Sequence, residues 1–196
     1  MVLELTLMKL FLIAAAFVGI FAVNSSVSAQ HRDYMTDQEI ELVRDNQDID
    51  KRVDVLTKMI DRRFTALGID VGGWKQSRKE DELWGDIRTG TRPELLKDIR
   101  ELLQKAIDDV DDVAEHNANT LTQNKTEGVL FPKAVRALAA AAARYNSALK
   151  AALTSTKDER ERGMILNSIE SCDAILDSVN SLPPEPTKAE KKKSKT

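Results

Sequence analysis

Cysteine, histidine and aromatic residues are scarce in this chain of 196 residues. With Cys172 as its one cysteine, the chain can form no internal disulfide, so its stability must come from packing. The two histidines, His31 and His116, are scattered, and no nucleophile with a matching base can be assembled from them. The Cys-x-x-Cys-His motif of covalent haem, the paired Glu-x-x-His motifs of di-iron bundles and the glycine-rich phosphate loop are all missing. These absences predict a protein that is not an enzyme and carries no cofactor.

A strong charge of either sign is missing too, because 32 acidic and 29 basic residues leave a net charge of −3. Such a mixed, mildly acidic surface argues against a nucleic-acid partner. The densest acidic run lies beside the apolar stripe of a predicted helix and lacks the turn of a calcium loop, so we interpret it as a solvated face. Its members are Asp108, Asp109, Asp111, Asp112 and Glu115. A metal- or haem-binding bundle, with His116 and either Met59 or Met164 as haem ligands, is the cofactor alternative.

Residues 1–29 have the pattern of an export signal. Lys9 precedes an apolar stretch over residues 10–23, and a short polar segment ends in a small-x-small site at Ala29. The apolar stretch is shorter than the roughly 20 residues that a membrane-spanning helix needs. We therefore predict cleavage after Ala29 and a mature protein in the periplasm or outside the cell, with a retained signal anchor as the alternative.

From Asp33 onward, the apolar residues recur with helical period, and no convincing strand alternation is found. Thr36 and Glu39 form a capping box that predicts a short helix ending near Asn46. A second helix is predicted over residues 49–67, with Gly68 as its stop. The charged residues on its other side are interpreted as mostly solvated: Asp50, Lys51, Arg52, Asp54, Lys58, Asp61, Arg62 and Arg63.

Three longer helices complete the pattern. They are predicted over residues 93–121, over the alanine-rich residues 133–153, and from a capping box at Thr156 to residue 182, where Cys172 lies on the apolar face and is expected to be buried. The predicted fold is all-α: residues 30–182 form an antiparallel up-and-down helical bundle of four main helices plus short helices. Residues 183–196 form a lysine-rich tail predicted to be disordered, with weak contact to anionic surfaces as the alternative.

Residues 68–92 form the irregular part of the chain and contain both tryptophans. A connection of this length is usually functional or disordered, and two large aromatic residues favour docking on the bundle over disorder. One interpretation is a structural plug over an end of the core. The other is a ligand or partner site built around Trp74, Lys75, Arg78 and Trp84.

Two stretches near the start of the helical region carry a resemblance. The run ELVRDNQD at residues 41–48 and the run KRVDVL at residues 51–56, with long leucine- and alanine-rich helices after them, resemble a group of uncharacterised exported helical proteins of soil bacteria. The group has no assigned activity. The resemblance implies a bacterial, exported, all-helical protein and no site residues.

The leading functional prediction is a non-enzymatic envelope module. It would bind a protein or a small apolar ligand through the grooves of the bundle or through the segment from Trp74 to Trp84. A periplasmic stress chaperone is the second hypothesis, although the Leu-Thr-x-x-Gln repeats by which such proteins resemble one another are missing. The alanine-rich helix face could also pair two copies of the chain into a homo-oligomer.

Overall fold

The computed structural model describes residues 32–75, 77, 82–116 and 130–184. All the regular structure in these ranges is helical, which confirms the all-α prediction. The elements are α1 (Asp37–Asp45), α2 (Ile49–Ala66), α3 (Arg92–His116), α4 (Leu130–Ser155) and α5 (Glu159–Ser178), followed by a 3-10 turn (Val179–Ser181). Among the described helices, none has the length and apolar character needed to cross a membrane.

One of the two predicted capping boxes is present in the structure and the other is not. The capping box of α1 is confirmed, because the Glu39 N–H donates to Thr36 Oγ1 at 3.2 Å and the Thr36 N–H donates to Glu39 Oε2 at 2.9 Å. The capping box predicted at Thr156 is wrong. Asp158 caps α5 instead, accepting the N–H groups of Arg160 and Glu161, while the Thr156 hydroxyl donates to the Glu161 carboxylate.

The packing of the long helices follows from their side-chain contacts. Lys133 pairs with Asp50 and Arg144 pairs with Asp61, so α2 and α4 run in the same direction side by side. The Arg63–Asp98 and Arg52–Asp109 pairs show that α3 runs opposite to α2. Helix α5 packs against both α3 and α4. The six described helical elements therefore pack together, but an arrangement in which all neighbouring helices are antiparallel is not confirmed.

One apolar core joins the four long helices. Its fully buried members include the stacked pair Phe64 and Tyr145, whose ring centroids lie 5.3 Å apart. Small residues of α4, among them Ala134 and Ala142, are also fully buried, which lets its neighbours approach closely. Cys172 is fully buried on α5, as predicted.

The prediction that the charged face of α2 is solvated is wrong at the end of the helix. Asp61, Arg62 and Arg63 are 3, 1 and 0 % exposed. The segments before α1 and after α2 fold over this part of the helix and supply hydrogen-bond partners, without which buried charges would be very costly. The prediction of a solvated face for the acidic run on α3 is also wrong at Asp109. This residue is buried against Lys105 and lies near Arg52.

Three predictions fall on parts of the chain outside the described residues. These are the export signal over residues 1–29, the lysine-rich tail beyond Pro184, and the part of the predicted helix over residues 93–121 that follows His116, the last described residue of α3. They stay predictions.

Candidate functional site

Arg62 lies between the two tryptophans at the end of α2. Its guanidinium carbon is 5.1 Å from the ring centroid of Trp74 and 5.7 Å from that of Trp84, within the range of cation–π attraction. Its Nη2 donates to the main-chain oxygens of Gly85 at 2.9 Å and Asp86 at 2.8 Å. The tryptophans therefore bind a cation of the protein itself and fix the segment that contains them to α2.

The four residues predicted as a ligand site are only partly brought together. Trp74 and Trp84 meet around Arg62 and are 9 and 3 % exposed, whereas Lys75 is exposed to solvent. Arg78 lies outside the described residues. The burial of both indoles against Arg62 favours the structural-plug interpretation, and a ligand site around these four residues stays a prediction.

Asp61 connects the same segment to α4. Its carboxylate accepts the main-chain N–H of Trp74 at 2.9 Å and the Tyr145 hydroxyl at 2.7 Å. Burial, together with the negative charge of Asp61, raises the pKa of Tyr145 well above its usual range, so the hydroxyl stays a donor. Arg144 approaches the same carboxylate less closely, with Nη2 at 3.3 Å from Oδ1 and 3.5 Å from Oδ2.

Arg63 forms a second buried cluster on the next position of α2. Nη1 and Nη2 donate to the two carboxylate oxygens of Glu39 at 2.7 and 2.6 Å, and Nε donates to Asp98 at 3.2 Å. The main-chain oxygen of Tyr34 accepts from Nη2 at 3.0 Å. Burial alone would raise the pKa of Glu39, but the hydrogen bonds and charge of Arg63 outweigh it and lower that pKa. This cluster uses its charges internally and is structural.

An open groove of about 640 Å³ runs along α4 beside these clusters. One side is formed by the loop after α2, where Ile69 and Val71 supply apolar surface, and the floor is formed by small residues of α4. The lining residues are Ile69, Asp70, Val71, Arg92, Arg144, Ser147, Ala148, Ala151, Ala152 and Ser155. The groove thus combines an apolar surface with two arginines, and ligand sites commonly pair mostly apolar walls with a few polar groups in this way.

The groove could not be located from the amino-acid sequence alone. The signal that could have found it is the spacing of Arg144, Ser147, Ala148, Ala151, Ala152 and Ser155, which places small residues on one face of a helix. The other side of the groove depends on where the loop after α2 folds, which the helical period of α4 does not reveal.

The residues of the haem alternative occupy different environments. Met59 is fully buried in the core, while His116 is an exposed residue at the end of α3 whose Nδ1 lies 2.9 Å from the main-chain oxygen of Asp112. Over residues 32–75, 77, 82–116 and 130–184, no group of three or more histidine, cysteine, aspartate or glutamate side chains is placed to hold a metal ion.

No protein-family model, no curated protein and no solved structure matches this chain. The resemblance to exported helical proteins of soil bacteria stays a prediction.

Proposed function

We propose that this chain is an exported, non-enzymatic bacterial protein whose helical bundle binds a small apolar ligand in the groove along α4. The observation that carries the proposal is the groove itself, about 640 Å³ in volume with a floor of alanines. Ligand pockets usually measure roughly 300–1,000 Å³ and combine mostly apolar walls with a few polar groups. Ala148, Ala151 and Ala152 leave room above α4 where longer side chains would fill the space.

The rim of the groove is held in place before any ligand arrives. The N–H of Ile69 donates to the main-chain oxygen of Phe64 at 2.9 Å, and Trp74 is tied to Asp61 further along the same loop. Because the rim is already fixed, little conformational entropy is lost when a ligand binds. The scaffold beneath it is the bundle of four main helices, whose chain path we propose to be up-and-down as the sequence predicts.

The proposed location outside the cytoplasm is supported by the sequence of residues 1–29. An apolar stretch with a small-x-small site after it is typical of a cleaved signal. In that compartment a small helical protein with an apolar groove would serve as a carrier or a sensor of its ligand. The partner is thus a small apolar molecule, and a nucleic acid is not expected because of the mixed surface charge.

The proposal is tested with a neutral apolar fluorophore, N-phenyl-1-naphthylamine, whose emission rises on transfer from water to an apolar site. Ala151→Phe places an aromatic ring in the groove and should abolish the rise in emission. Ala143→Phe is the matched control, since Ala143 is an exposed residue of the same helix that does not line the groove.

Loss of probe binding in Ala151→Phe alone would support the groove as the binding site. Equal binding by wild type, Ala151→Phe and Ala143→Phe would overturn it. Thermal unfolding of each variant checks that a loss of binding does not come from a loss of folding.

A further inference from the structure

We infer that the groove selects elongated apolar molecules with a carboxylate at one end, and that Arg144 binds the carboxylate. This inference rests on the proposed function and names the chemical class of its ligand. The groove residues on α4 run from Arg144 to Ser155, a distance of about 16 Å at a rise of 1.5 Å per residue. A medium-chain alkanoic acid of roughly the length of dodecanoate fits this span.

The N–H groups of Arg144 are incompletely satisfied by hydrogen bonds within the described part of the protein. Its bonds to Asp61 are long, at 3.3 and 3.5 Å, and Asp61 already accepts shorter bonds from Tyr145 and Trp74. Its Nη1 reaches the main-chain oxygen of Ala140 only at 3.5 Å. Its Nε is buried and has no hydrogen-bond partner within the described part of the chain.

The guanidinium of Arg144 is also accessible, because its side chain is 35 % exposed and lines the groove. A carboxylate placed against its terminal nitrogens would gain charge-assisted hydrogen bonds, which are about twice as strong as neutral ones. The apolar chain of the same ligand would lie over Ile69, Val71 and Ala148, the neighbouring apolar part of the lining. The groove therefore suits a molecule that is charged at one end and apolar along its length.

Arg92 marks the other end of the groove. Its Nε donates at 3.1 Å to Glu161, which also accepts from Thr156, the residue that follows α4. This pair is slightly shorter than the 3.3 Å pair of Arg144 with Asp61, and the two arginine side chains are similarly exposed, at 38 and 35 %, so variants of both residues are needed to tell them apart. Among the described residues, Asp70 is the one carboxylate in the lining, and since it is exposed, water screens its repulsion of an anion.

The test measures displacement of the neutral probe by three ligands with the same alkyl chain: dodecanoate, dodecanol and dodecyltrimethylammonium, each below its micellar concentration. In the mature wild-type protein, dodecanoate is expected to bind about tenfold to a hundredfold more tightly than dodecanol, which corresponds to one charge-assisted interaction. Dodecyltrimethylammonium should bind more weakly than dodecanol.

Arg144→Gln should reduce the preference for dodecanoate over dodecanol to about onefold, the value expected when no charge-assisted interaction is left. Arg160→Gln is the matched control and should keep the full preference, because Arg160 is exposed on α5 and does not line the groove. Arg144→Lys keeps the charge and should retain part of the preference.

Each failure has a distinct meaning. Equal affinity of wild type for dodecanoate and dodecanol would overturn the carboxylate inference, while binding of both that Ala151→Phe removes would leave the proposed function standing. Loss of the preference in Arg92→Gln but not in Arg144→Gln would overturn the assignment to Arg144. If Arg144→Gln does not fold, the ligand comparison on wild type still decides whether the groove selects an anion.

Discussion

Arg63 and Glu39 form a buried, two-pronged ion pair that joins α1 to the last turn of α2. Two parallel hydrogen bonds of 2.7 and 2.6 Å link the guanidinium to the carboxylate, and the two side chains are 0 and 2 % exposed. Helix α1 has nine residues, too few for a stable isolated helix. Its position therefore depends on contacts with the bundle, and this buried ion pair is one of them.

Replacing Arg63 tests the importance of that pair. Arg63→Met leaves the carboxylates of Glu39 and Asp98 buried without this cation, and breaking a buried pair in this way costs about 3–5 kcal/mol. The free energy of unfolding, measured with urea, should fall by that amount. Arg160→Met, at an exposed position, should change it by less than about 0.5 kcal/mol, and a similar change in both variants would contradict the structural role.

The ion pair between Arg63 and Glu39 should also affect how the free energy of unfolding depends on pH. Burial raises the pKa of Glu39, but Arg63 outweighs burial and holds the folded-state pKa below 4.5. A carboxyl with a lower pKa in the folded state contributes stability above its unfolded pKa, and this contribution is lost as the pH falls toward the folded-state pKa. Unfolding free energy should therefore decrease below about pH 4.5.

The variant Glu39→Gln should weaken this acid dependence, because the side-chain amide that replaces the carboxyl does not titrate. Glu41→Gln is the control, since Glu41 is an exposed residue of the same helix. Urea unfolding of the three proteins across the acid range makes the comparison. An unchanged slope in Glu39→Gln would show that other carboxyl groups account for the acid sensitivity.

Gly73 should tolerate no side chain. Its φ of +87° is unfavourable for other residues, and an added Cβ would lie 2.3 Å from Asp61 Oδ2 and 2.6 Å from Arg144 Nη2. Gly68 has a similar φ of +74° with open space around it, so Gly68→Ala isolates the backbone effect. We expect Gly73→Ala to lower the unfolding free energy by at least about 1 kcal/mol more than Gly68→Ala. Equal losses in thermal or urea unfolding would argue against the close contact.

Cys172 should be unreactive in the folded protein. Burial raises the pKa of its thiol to about 12, so the nucleophilic thiolate is rare at neutral pH, and the side chain is fully buried. Ellman's reagent should label it only after unfolding in guanidinium. Rapid labelling of the native protein would show that this part of α5 opens easily.

The mature protein should begin at Gln30 if the export signal is functional. Intact mass spectrometry of protein recovered from the envelope fraction of a bacterial host measures the N-terminus directly. Ala29→Asp places a charged side chain at the small-x-small site and should block cleavage. An uncleaved wild-type chain would favour the retained anchor.

The sequence predicts what depends on neighbouring residues. Helix α2 begins at Ile49 as predicted and ends at Ala66, one residue before the predicted end, and the Thr36 cap is a contact across three positions. The burial of Arg63 could not be predicted in this way, because its partners lie 24 and 35 residues away in the chain. A charged helix face looks the same in sequence whether solvent or another segment covers it.

The sequence likewise predicts only a part of the candidate site. The docking of Trp74 and Trp84 on the bundle is predicted by their size and setting, whereas Arg62 as the residue between them is not. The groove is formed by small residues of α4 together with a loop that only the folded chain brings to them.

The hydrogen bonds of Arg62 restrict amino-acid substitution at some positions of this segment and not at others. Its acceptors in residues 84–86 are main-chain oxygens, which every amino acid possesses. Substitution of Asp86 would therefore leave the interaction unchanged. Position 85 has a φ of +64°, which strongly favours glycine. Among distant descendants of this protein, Arg62 and Gly85 should persist after the residues around them have changed.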